Sequence, residues 1–476
     1  MLRDRKGNIM KIKRFLSMII VFSVLFGTFS VRAAAPTSSL ANEPWVLGHV
    51  DMYEDAYVGA YASITHHPRT GKAYISYYDE NSTGLKMAHE VTPGTGNCGT
   101  GNAWQCEVVQ SSDSVGRFSS IDVTFVSKSP VILSYTLIGI SYYDASKQRL
   151  RYAECKLLLT ESDCSWAAYN VDDSSLEFYS YGMYSSLAFD DYAVPHIAYN
   201  YALDVTIHQS GVKYATYVSE GGGNCIEGGS WDCVNVDHGS YTLEYGAYTS
   251  LDFHLLGYPV IAYYNSELGA LEVATGNNEG SDCDNEEWNC RIIDDTGDVG
   301  RFTSLAPKQE DSGFMFAYYD SDHRTVKYAV FVWFDGNCGQ GAYNCFDVDQ
   351  TSEVYPEYYS PISLAVDGQG FPIIAYMNSA SETSPDYLKV ARPAEAYGHE
   401  TGNCGEPRPG DMFQYWECRT IDPPHSNIGV GAYVSISVNL NGLADIAYSD
   451  QNLLWGEQYL KIARQRFAVY LPLIVK

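Results

Sequence analysis

Seven copies of one pattern fill almost the whole sequence, and this repetition constrains the fold more than any other feature. Each copy contains a Ser followed by Ile or Leu, and successive copies are 54 to 72 residues apart. The pairs begin at Ser63, Ser120, Ser186, Ser250, Ser304, Ser363 and Ser435. A period of this size indicates a repeat architecture, in which each unit buries its apolar face against the next unit.

Each copy contains four short apolar runs that predict β-strands. The runs are rich in β-branched and aromatic residues and are separated by Gly, Asn, Asp and Ser. Pro259–Asn265 exemplifies the second run, Val326–Ala329 the third and Trp231–Asp237 the fourth. None of them has the length or the 3.6-residue period of a helix. Four strands per unit, joined by short turns, predict the blade of a β-propeller.

The two ends of the repeat array favour a closed ring over an open solenoid. The seventh copy stops after its third run, Leu460–Ala463, whereas a spare run, Trp45–Asp51, precedes the first copy. The spare run resembles the fourth run of the other copies. We therefore predict an all-β, seven-bladed propeller over residues 42–463, with four-stranded blades and an N-terminal strand that completes the last blade. Ring closure would protect the sheet edges that an open stack exposes.

The N-terminal segment has the pattern of a targeting signal. Three basic residues at 11–14 precede an apolar run at 15–31 and three alanines at 33–35. This pattern predicts a secretory signal peptide over residues 1–35, with a membrane anchor as the alternative. We therefore expect a secreted or cell-surface protein that has no transmembrane span once the signal is removed.

The composition is strongly acidic, with a net charge of −28. Residues 1–35 hold seven Lys or Arg residues and one Asp, so their removal would change the net charge to −34. Such a surface repels nucleic acid and anionic lipid. It suits cations, cationic proteins or neutral glycans, so we expect a glycan or an extracellular protein as partner.

The twelve Cys residues fall into six local pairs, each between the third and fourth runs of one copy. We predict that Cys98 pairs with Cys106, Cys155 with Cys164, Cys225 with Cys233, Cys283 with Cys290, Cys338 with Cys345, and Cys404 with Cys418. No CxxC spacing occurs and no His recurs beside the pairs, which argues against zinc. With a secretion signal present, we predict six disulfides and no dedicated metal site.

The C-terminal segment, residues 464–476, is a hydrophobic tail that is too short to span a bilayer. It fits an extra strand or a surface-sorting tail equally well. Pro472 favours a tail or an edge strand over a central strand.

The turn into each fourth run resembles the Asp-box, or BNR, repeat of sialidase-like propellers. In that family a Ser-x-Asp-x-Gly-x-Thr-Trp turn joins the third and fourth strands. Here the corresponding segments, 96–104 and 335–343, keep a Gly-rich turn and the aromatic residue, as Trp104 and Tyr343. The Ser-x-Asp is missing, and a predicted disulfide, whose first Cys lies in the segment, replaces it. The resemblance covers the layout of all copies and implies the fold more than an activity.

Two arginines stand at equivalent positions of the repeat and form a candidate anion site. They are Arg117 and Arg301, each in a Val-Gly-Arg-Phe segment. Sialidases of the resembled family use three arginines, a Tyr/Glu pair and an Asp, and no such nucleophile pair can be assigned here. The alternative for the two arginines is a salt bridge to the nearby Asp113 or Asp298.

The second runs end in a recurring Asp or Asn, which a Tyr precedes in five copies. Ring geometry predicts that these side chains share one face with the Asp residues of the fourth runs, namely Asp51, Asp172, Asp237, Asp294, Asp349 and Asp422. Together with the two arginines, the candidate ligand-binding residues are Tyr78, Asp79, Tyr143, Asp144, Tyr264, Asn265, Tyr319 and Asp320. Oxygen-rich loops beside aromatic rings suit glycan hydroxyls or Ca²⁺. The alternative is that the Asp and Asn residues cap their own turns and the tyrosines pack between blades.

Motifs of common enzyme classes are missing from the sequence. It contains no Gly-x-Ser-x-Gly elbow, phosphate loop, His-Glu-x-x-His or EF-hand pattern. His66 and His67 form an isolated pair for which we expect a solvated loop. We therefore predict a monomeric binding module for glycan or protein, without a cofactor and without an assignable catalytic residue. A sialidase-like glycoside hydrolase, a polysaccharide lyase and a structural envelope protein are the alternatives.

Overall fold

The computed structural model describes residues 44–111, 114–128, 133–158, 164–173, 179–203, 209–219, 221–240, 244–277, 282–308, 313–332, 335–351, 361–379, 386–405, 415–423, 428–452 and 456–466. The predicted signal peptide and residues 467–476 of the predicted tail lie outside these ranges. The described residues form seven four-stranded antiparallel sheets, which confirms the predicted seven-bladed propeller. No helix in these ranges is long and apolar enough to cross a bilayer.

The strands follow the four runs of each copy. Blade 1 consists of β2 (Val58–His66), β3 (Ala73–Asp79), β4 (Gly84–Glu90) and β5 (Trp104–Ser111). Blade 2 consists of β6 (Val115–Lys128), β7 (Leu133–Asp144), β8 (Arg149–Leu158) and β9 (Ala167–Asp172). Blade 3 consists of β10 (Tyr179–Phe189), β11 (Pro195–Leu203), β12 (Gln209–Tyr217) and β13 (Trp231–Ser240). Blade 4 consists of β14 (Ala247–Phe253), β15 (Pro259–Asn265), β16 (Ala270–Thr275) and β17 (Asn289–Asp294).

Blade 5 consists of β18 (Val299–Pro307), β19 (Phe314–Asp320), β20 (Thr325–Phe331) and β21 (Tyr343–Gln350). Blade 6 consists of β22 (Ile362–Val366), β23 (Pro372–Ser379), β24 (Asp386–Pro393) and β25 (Trp416–Asp422). Blade 7 consists of β26 (Ile428–Val438), β27 (Ala444–Asn452), β28 (Gln458–Gln465) and the N-terminal β1 (Trp45–Asp51). Short 3₁₀ helices cover Thr100–Asn102, Gly339–Gly341 and Ala394–Tyr397.

The N-terminal strand closes the ring. β1 pairs antiparallel with β28, with Trp45 opposite Gln465 and His49 opposite Lys461. The last blade therefore has the strand order β1-β28-β27-β26, as predicted. β28 extends two residues beyond the predicted boundary at residue 463, so Arg464 and Gln465 belong to the blade.

A ring of hydrogen bonds joins the inner strands of all seven blades. The hydroxyl of each repeat Ser accepts the backbone N–H of the Ile or Leu in the next blade, at 3.0–3.2 Å. The last of these bonds runs from Ile64 to Ser435 and shuts the circle. Because the inner strand is a sheet edge, its N–H groups need such acceptors when they are buried. This requirement explains why the Ser-Ile or Ser-Leu pair recurs in every copy.

Buried tyrosines tie each blade to the one before it. Each second strand carries a fully buried Tyr whose hydroxyl donates to the fourth strand of the preceding blade. At 2.5–2.7 Å, Tyr77 donates to Asp51, Tyr199 to Asp172, Tyr263 to Asp237, Tyr318 to Asp294, Tyr376 to Asp349 and Tyr448 to Asp422. In blade 2, Tyr142 donates to Gln110. The Asp residues of the fourth strands, which we expected on an open face, are thus bound between blades.

A Lys of the third strand completes the tie at five of the seven interfaces. Lys86 pairs with Asp51, Lys213 with Asp172, Lys327 with Asp294, Lys389 with Asp349 and Lys461 with Asp422. A charge is stable between packed blades only when an opposite charge and hydrogen bonds compensate it. The other two interfaces depart from this pattern. Arg151 and Gln110 replace the Lys and the Asp at one of them, and Glu272 replaces the Lys at the other.

All six predicted disulfides are present, and the predicted pairing is confirmed. The bonds join Cys98 to Cys106, Cys155 to Cys164, Cys225 to Cys233, Cys283 to Cys290, Cys338 to Cys345, and Cys404 to Cys418. Cys155 lies within the third strand of its blade, and Cys164 lies before the fourth strand. In the other five blades that carry a disulfide, the bond joins the loop after the third strand to the fourth strand itself.

The loops between the third and fourth strands define one face of the ring. They lie where the second strands begin, and we call this the disulfide face. The opposite face, where the second strands end, is called the Asp/Asn face.

The expectation that His66 and His67 are solvated is wrong. His67 is only 4% exposed, and its Nε2 lies 2.9 Å from the Thr136 hydroxyl of blade 2. Its Nδ1 accepts the backbone N–H of Arg69 and so caps the β2–β3 turn, as Asp190 does for the β10–β11 turn. His67 is therefore not a solvated residue. One ring nitrogen caps the turn, and the other contacts a strand of the long β6–β7 pair.

Candidate functional site

The predicted Asp and Asn residues cap their own turns on the Asp/Asn face. Asp79, Asp144, Asn265 and Asp320 are each at most 5% exposed. One side-chain oxygen of each accepts the backbone N–H three residues later, at 2.9–3.2 Å. This turn capping is the alternative to ligand binding that was considered from the sequence. A further contact of these residues with a glycan or Ca²⁺ stays a prediction.

The tyrosines that precede these residues pack against the segment that leads into the next blade. The hydroxyls of Tyr78 and Tyr143 lie 3.3 and 2.9 Å from the hydroxyls of Ser114 and Ser180. The hydroxyls of the other two tyrosines also bond to the segment that leads into the next blade. Tyr264 bonds to Asp298, and Tyr319 bonds to Thr351. Their rings therefore take part in packing between blades.

The two arginines occupy blades 2 and 5, near the start of the inner strands. Arg301 lies 3.1 Å from a carboxylate oxygen of Glu244 and 3.4 Å from one of Asp298, and its guanidinium stacks over the ring of Tyr264. Arg301 thus forms the salt bridge that the sequence offered as the alternative to an anion site. Arg117 lies over the ring of Tyr78 at 5.7 Å, and Asp113, its proposed partner, lies outside the described residues.

Six aromatic side chains form a girdle around the central channel, a feature that our interpretation of the sequence missed. They are Tyr61, Phe118, Tyr184, Tyr248, Phe302 and Tyr433, with neighbouring ring centroids 4.5–4.9 Å apart from Tyr433 through Phe302. All six have positive φ values of 52–58°, a conformation that non-glycine residues rarely adopt. The sequence pattern that could have revealed the girdle is a Gly two residues before each of these aromatic residues. Pro361 occupies this position in blade 6 and cannot adopt a positive φ.

The girdle leaves little space in the channel. The cavity inside it has a volume of about 110 Å³. This is less than half the volume of the groove between blades 4 and 5 that is described next. The channel is therefore the less suitable of the two for a sugar ring.

A larger groove lies between blades 4 and 5 on the disulfide face, with a volume of about 260 Å³. Six aromatic rings line this blade 4–5 groove, namely those of His254, Tyr258, Phe314, Phe316, Phe331 and Tyr343. The polar side chains along it are Thr275, Asn277, Asn289 and Arg291. Arg291 is the only Asp, Glu, Lys or Arg among its described lining residues.

Two local structures fix the aromatic side chains of the groove. At the β14–β15 turn, His254 accepts the backbone N–H of Leu256 and stacks on Tyr258, with centroids 4.2 Å apart and planes at 10°. Gly257 allows this tight turn because its φ is +84°. On the other side, the disulfide of Cys338 spans Tyr343, whose backbone N–H and C=O both bond to Cys338. The rings of His254 and Tyr258 and the backbone of Tyr343 are therefore held in place by contacts within the protein.

The electrostatics of the groove favour hydrogen-bond donation. Burial raises the pKa of Tyr343 to about 12 although Arg291 is near, so its hydroxyl stays protonated even well above neutral pH. Amides of Asn277 and Asn289 can both donate and accept. Such a mixture of apolar rings and neutral polar groups can bind a ligand that has an apolar face and several hydroxyls.

One cluster of metal-ligating residue types occurs among the described residues, formed by Asp237, Glu272 and Cys290. Cys290 is bonded to Cys283 in a disulfide and does not offer a thiolate. The cluster therefore reduces to two carboxylates between blades 3 and 4.

No protein-family model and no curated protein matches the sequence. The chain is similar in structure to an α-L-arabinofuranosidase from Fusarium graminearum, with a TM-score of 0.43 and 10% identity over 74% of this chain and 98% of that one. It is also similar to the fucose-specific lectin from Aleuria aurantia, with a TM-score of 0.40 and 10% identity over 79% and 97%. At these values no function transfers, and the resemblance to Asp-box repeats stays an expectation.

Proposed function

We propose that the protein is an extracellular carbohydrate-binding module and that the blade 4–5 groove is its binding site. The observation that carries the proposal is the concentration of six aromatic rings around about 260 Å³, with neutral polar groups among them. The C–H face of a pyranose packs on aromatic rings, and its hydroxyls bond to amide and hydroxyl groups. Ligand sites commonly combine an apolar lining with a few polar groups in this way.

The chemistry of the chain supports this proposal over other ligand classes. The net charge of −28 opposes nucleic acid and anionic membranes. Six disulfides suit an extracellular protein. With Arg291 as the only fixed charge on the described lining, the groove suits neutral sugars and sugars that carry one carboxylate.

A sialidase-like hydrolase receives less support from the geometry. Such an enzyme would gather several arginines around one pocket, and neither Arg117 nor Arg301 lines the channel cavity or the blade 4–5 groove. Arg301 is already bound to Glu244 and Asp298. Turnover can nevertheless be measured together with binding, by release of reducing ends from every bound glycan.

The proposal can be tested with a glycan array, followed by titration calorimetry of the best glycan on wild type and Tyr258→Ala. Full burial of an aromatic side chain contributes ~1.5–3 kcal/mol, so we expect affinity to fall about ten- to a hundredfold. Tyr192→Ala is the matched control, because Tyr192 is 88% exposed in the corresponding turn of blade 3. Equal affinities of Tyr258→Ala and wild type, or equal losses in both variants, would refute the assignment. Release of reducing ends would identify an enzyme instead.

A further inference from the structure

The interface between blades 3 and 4 breaks the charge pattern of the ring. Five interfaces hold a Lys and an Asp in contact, whereas this one holds Glu272 at the position of the Lys. Asp237 and Glu272 are each only 7% exposed. Oxygen atoms of the two carboxyl groups lie within 4.8 Å of each other. Two acidic groups thus face each other where the other interfaces hold an acid and a base.

The hydrogen bonds around the pair indicate which of the two carboxyl groups can hold a proton. Tyr245 and Tyr263 each donate to Asp237 Oδ2 at 2.7 Å. Asn265 Nδ2 donates to Glu272 Oε2 at 2.7 Å, and the Tyr245 hydroxyl lies 3.4 Å from the same oxygen. Tyr245 therefore bridges the two carboxyl groups. Asp237 has two donors at 2.7 Å and Glu272 has one, so Glu272 is the better place for a proton.

No described Lys or Arg forms an ion pair with either carboxyl group. The other titratable groups that face the pair come from neighbouring segments. Asp284 donates its backbone N–H to Asp237 at 3.4 Å, and its carboxylate is paired with His238. Tyr201 of β11 approaches from blade 3, and Cys290 of β17 is held in its disulfide. The pair thus lacks the cation that stabilises the equivalent Asp residues elsewhere in the ring.

We propose that Asp237 and Glu272 form a proton-binding site that links the packing of blades 3 and 4 to pH. With one proton bound, the pair carries a single negative charge, and the Tyr245 hydroxyl lies between the two groups. When the proton leaves, two negative charges remain between packed blades, and the interface weakens. Mild acid therefore stabilises this interface, in contrast to the interfaces that pair Lys with Asp, where acid removes the charge of the Asp.

Burial accounts for the proton affinity of the site. It raises the pKa of Glu272 to about 7, with the charge of Asp237 acting in the same direction and the amide of Asn265 opposing it. Burial also raises the pKa of Asp237. An ordinary Glu in an unfolded chain has a pKa of ~4.3. At this pair the folded protein therefore binds one more proton than the unfolded chain between about pH 4.5 and 7, and the stabilisation is lost as pH rises through about 7.

Unfolding by urea between pH 4.5 and 8.5 tests this proposal, with wild type, Glu272→Gln and Glu272→Lys compared at each pH. One linked proton changes the equilibrium constant of unfolding by about tenfold per pH unit. We expect the ratio of the unfolding constants of wild type and Glu272→Gln to rise by about tenfold per pH unit between about pH 5 and 7. Glu272→Lys restores the missing cation and should be the most stable of the three at pH 8.

Glu286→Gln controls for the loss of one negative charge, because Glu286 is exposed in the same blade. Its curve should run parallel to that of wild type. If the curve of Glu272→Gln is also parallel to wild type, the proposal is overturned. Carbon-13 NMR of the Glu carboxyl groups in the intact wild-type protein provides a second measurement that needs no variant. A titration midpoint near 7 for Glu272 supports the site, and a midpoint below 5 overturns it.

Discussion

Replacement of Lys327 by Met should destabilise the protein far more than the loss of a surface charge. Lys327 Nζ lies 2.7 Å from Asp294 Oδ2, and the two side chains are 4% and 0% exposed. Burial alone would raise the pKa of Asp294, but Lys327 and the hydroxyls of Tyr318 and Thr296 hold it below its usual value. Without the ammonium, a fully buried carboxylate loses its only close positive charge among the described residues.

The expected loss of unfolding free energy follows from the burial of the pair. Removal of one partner from a buried ion pair costs ~3–5 kcal/mol. The two hydroxyls continue to donate to Asp294, so we expect a value near the lower end, about 3 kcal/mol. Unfolding in guanidinium chloride with the disulfides intact measures it as a shift of the midpoint at unchanged m-value.

Lys156→Met is the matched control, because Lys156 also pairs with an acid, Glu154, but is 56% exposed. Exposed pairs contribute ~0.2–1 kcal/mol, so this variant should stay close to wild type. The difference between wild type and Lys327→Met should also shrink as pH falls. In wild type the pKa of Asp294 is depressed, so its stabilisation is lost in acid, whereas the variant gains by protonating the carboxyl group. Equal effects of the two variants, or a difference that does not depend on pH, would refute the reasoning.

Two further variants test other parts of the ring by the same unfolding titration. Replacement of Cys338 and Cys345 by Ser should lower the free energy of unfolding by about 2–3 kcal/mol, because the disulfide closes a short loop of the unfolded chain. A loss well below this range would show that the loop is ordered without the disulfide. Ser304→Ala should cost ~1–3 kcal/mol by leaving the N–H of Leu364 without its acceptor, whereas Ser111→Ala, at an exposed site, should cost little. Equal costs for these two Ser variants would contradict the role of the hydroxyl ring.

The sequence was sufficient to predict the architecture because the repeat has a direct structural cause. The Ser that marks each copy bonds to the next inner strand, so the residue that aligns the copies also joins the blades. The spare run Trp45–Asp51 and the truncated seventh copy predicted ring closure. Local Cys spacing predicted the disulfides, since a pair only seven to fourteen residues apart can bridge a single loop.

The candidate site was less predictable because it depends on contacts between blades. His254 and Tyr343 belong to different copies, and only the packing of blades 4 and 5 brings them to one groove. Strand periodicity likewise gave no sign that Asp294 is buried, since the compensating Lys327 and Tyr318 lie in the next copy. The girdle was missed because positive φ values at Tyr61 and its equivalents interrupt the alternation of side chains.

The pairing of β1 with β28 has a consequence for the order of events during synthesis. The ribosome produces Trp45–Asp51 before the other strands of the ring, and the partner strand Gln458–Gln465 emerges only about 400 residues later. Earlier blades can form as they appear, but the circle stays open until the last strand is made. The seven-bladed ring can therefore close only after Gln458–Gln465 has been synthesised, and until then β1 lacks the strand with which it pairs in the folded protein.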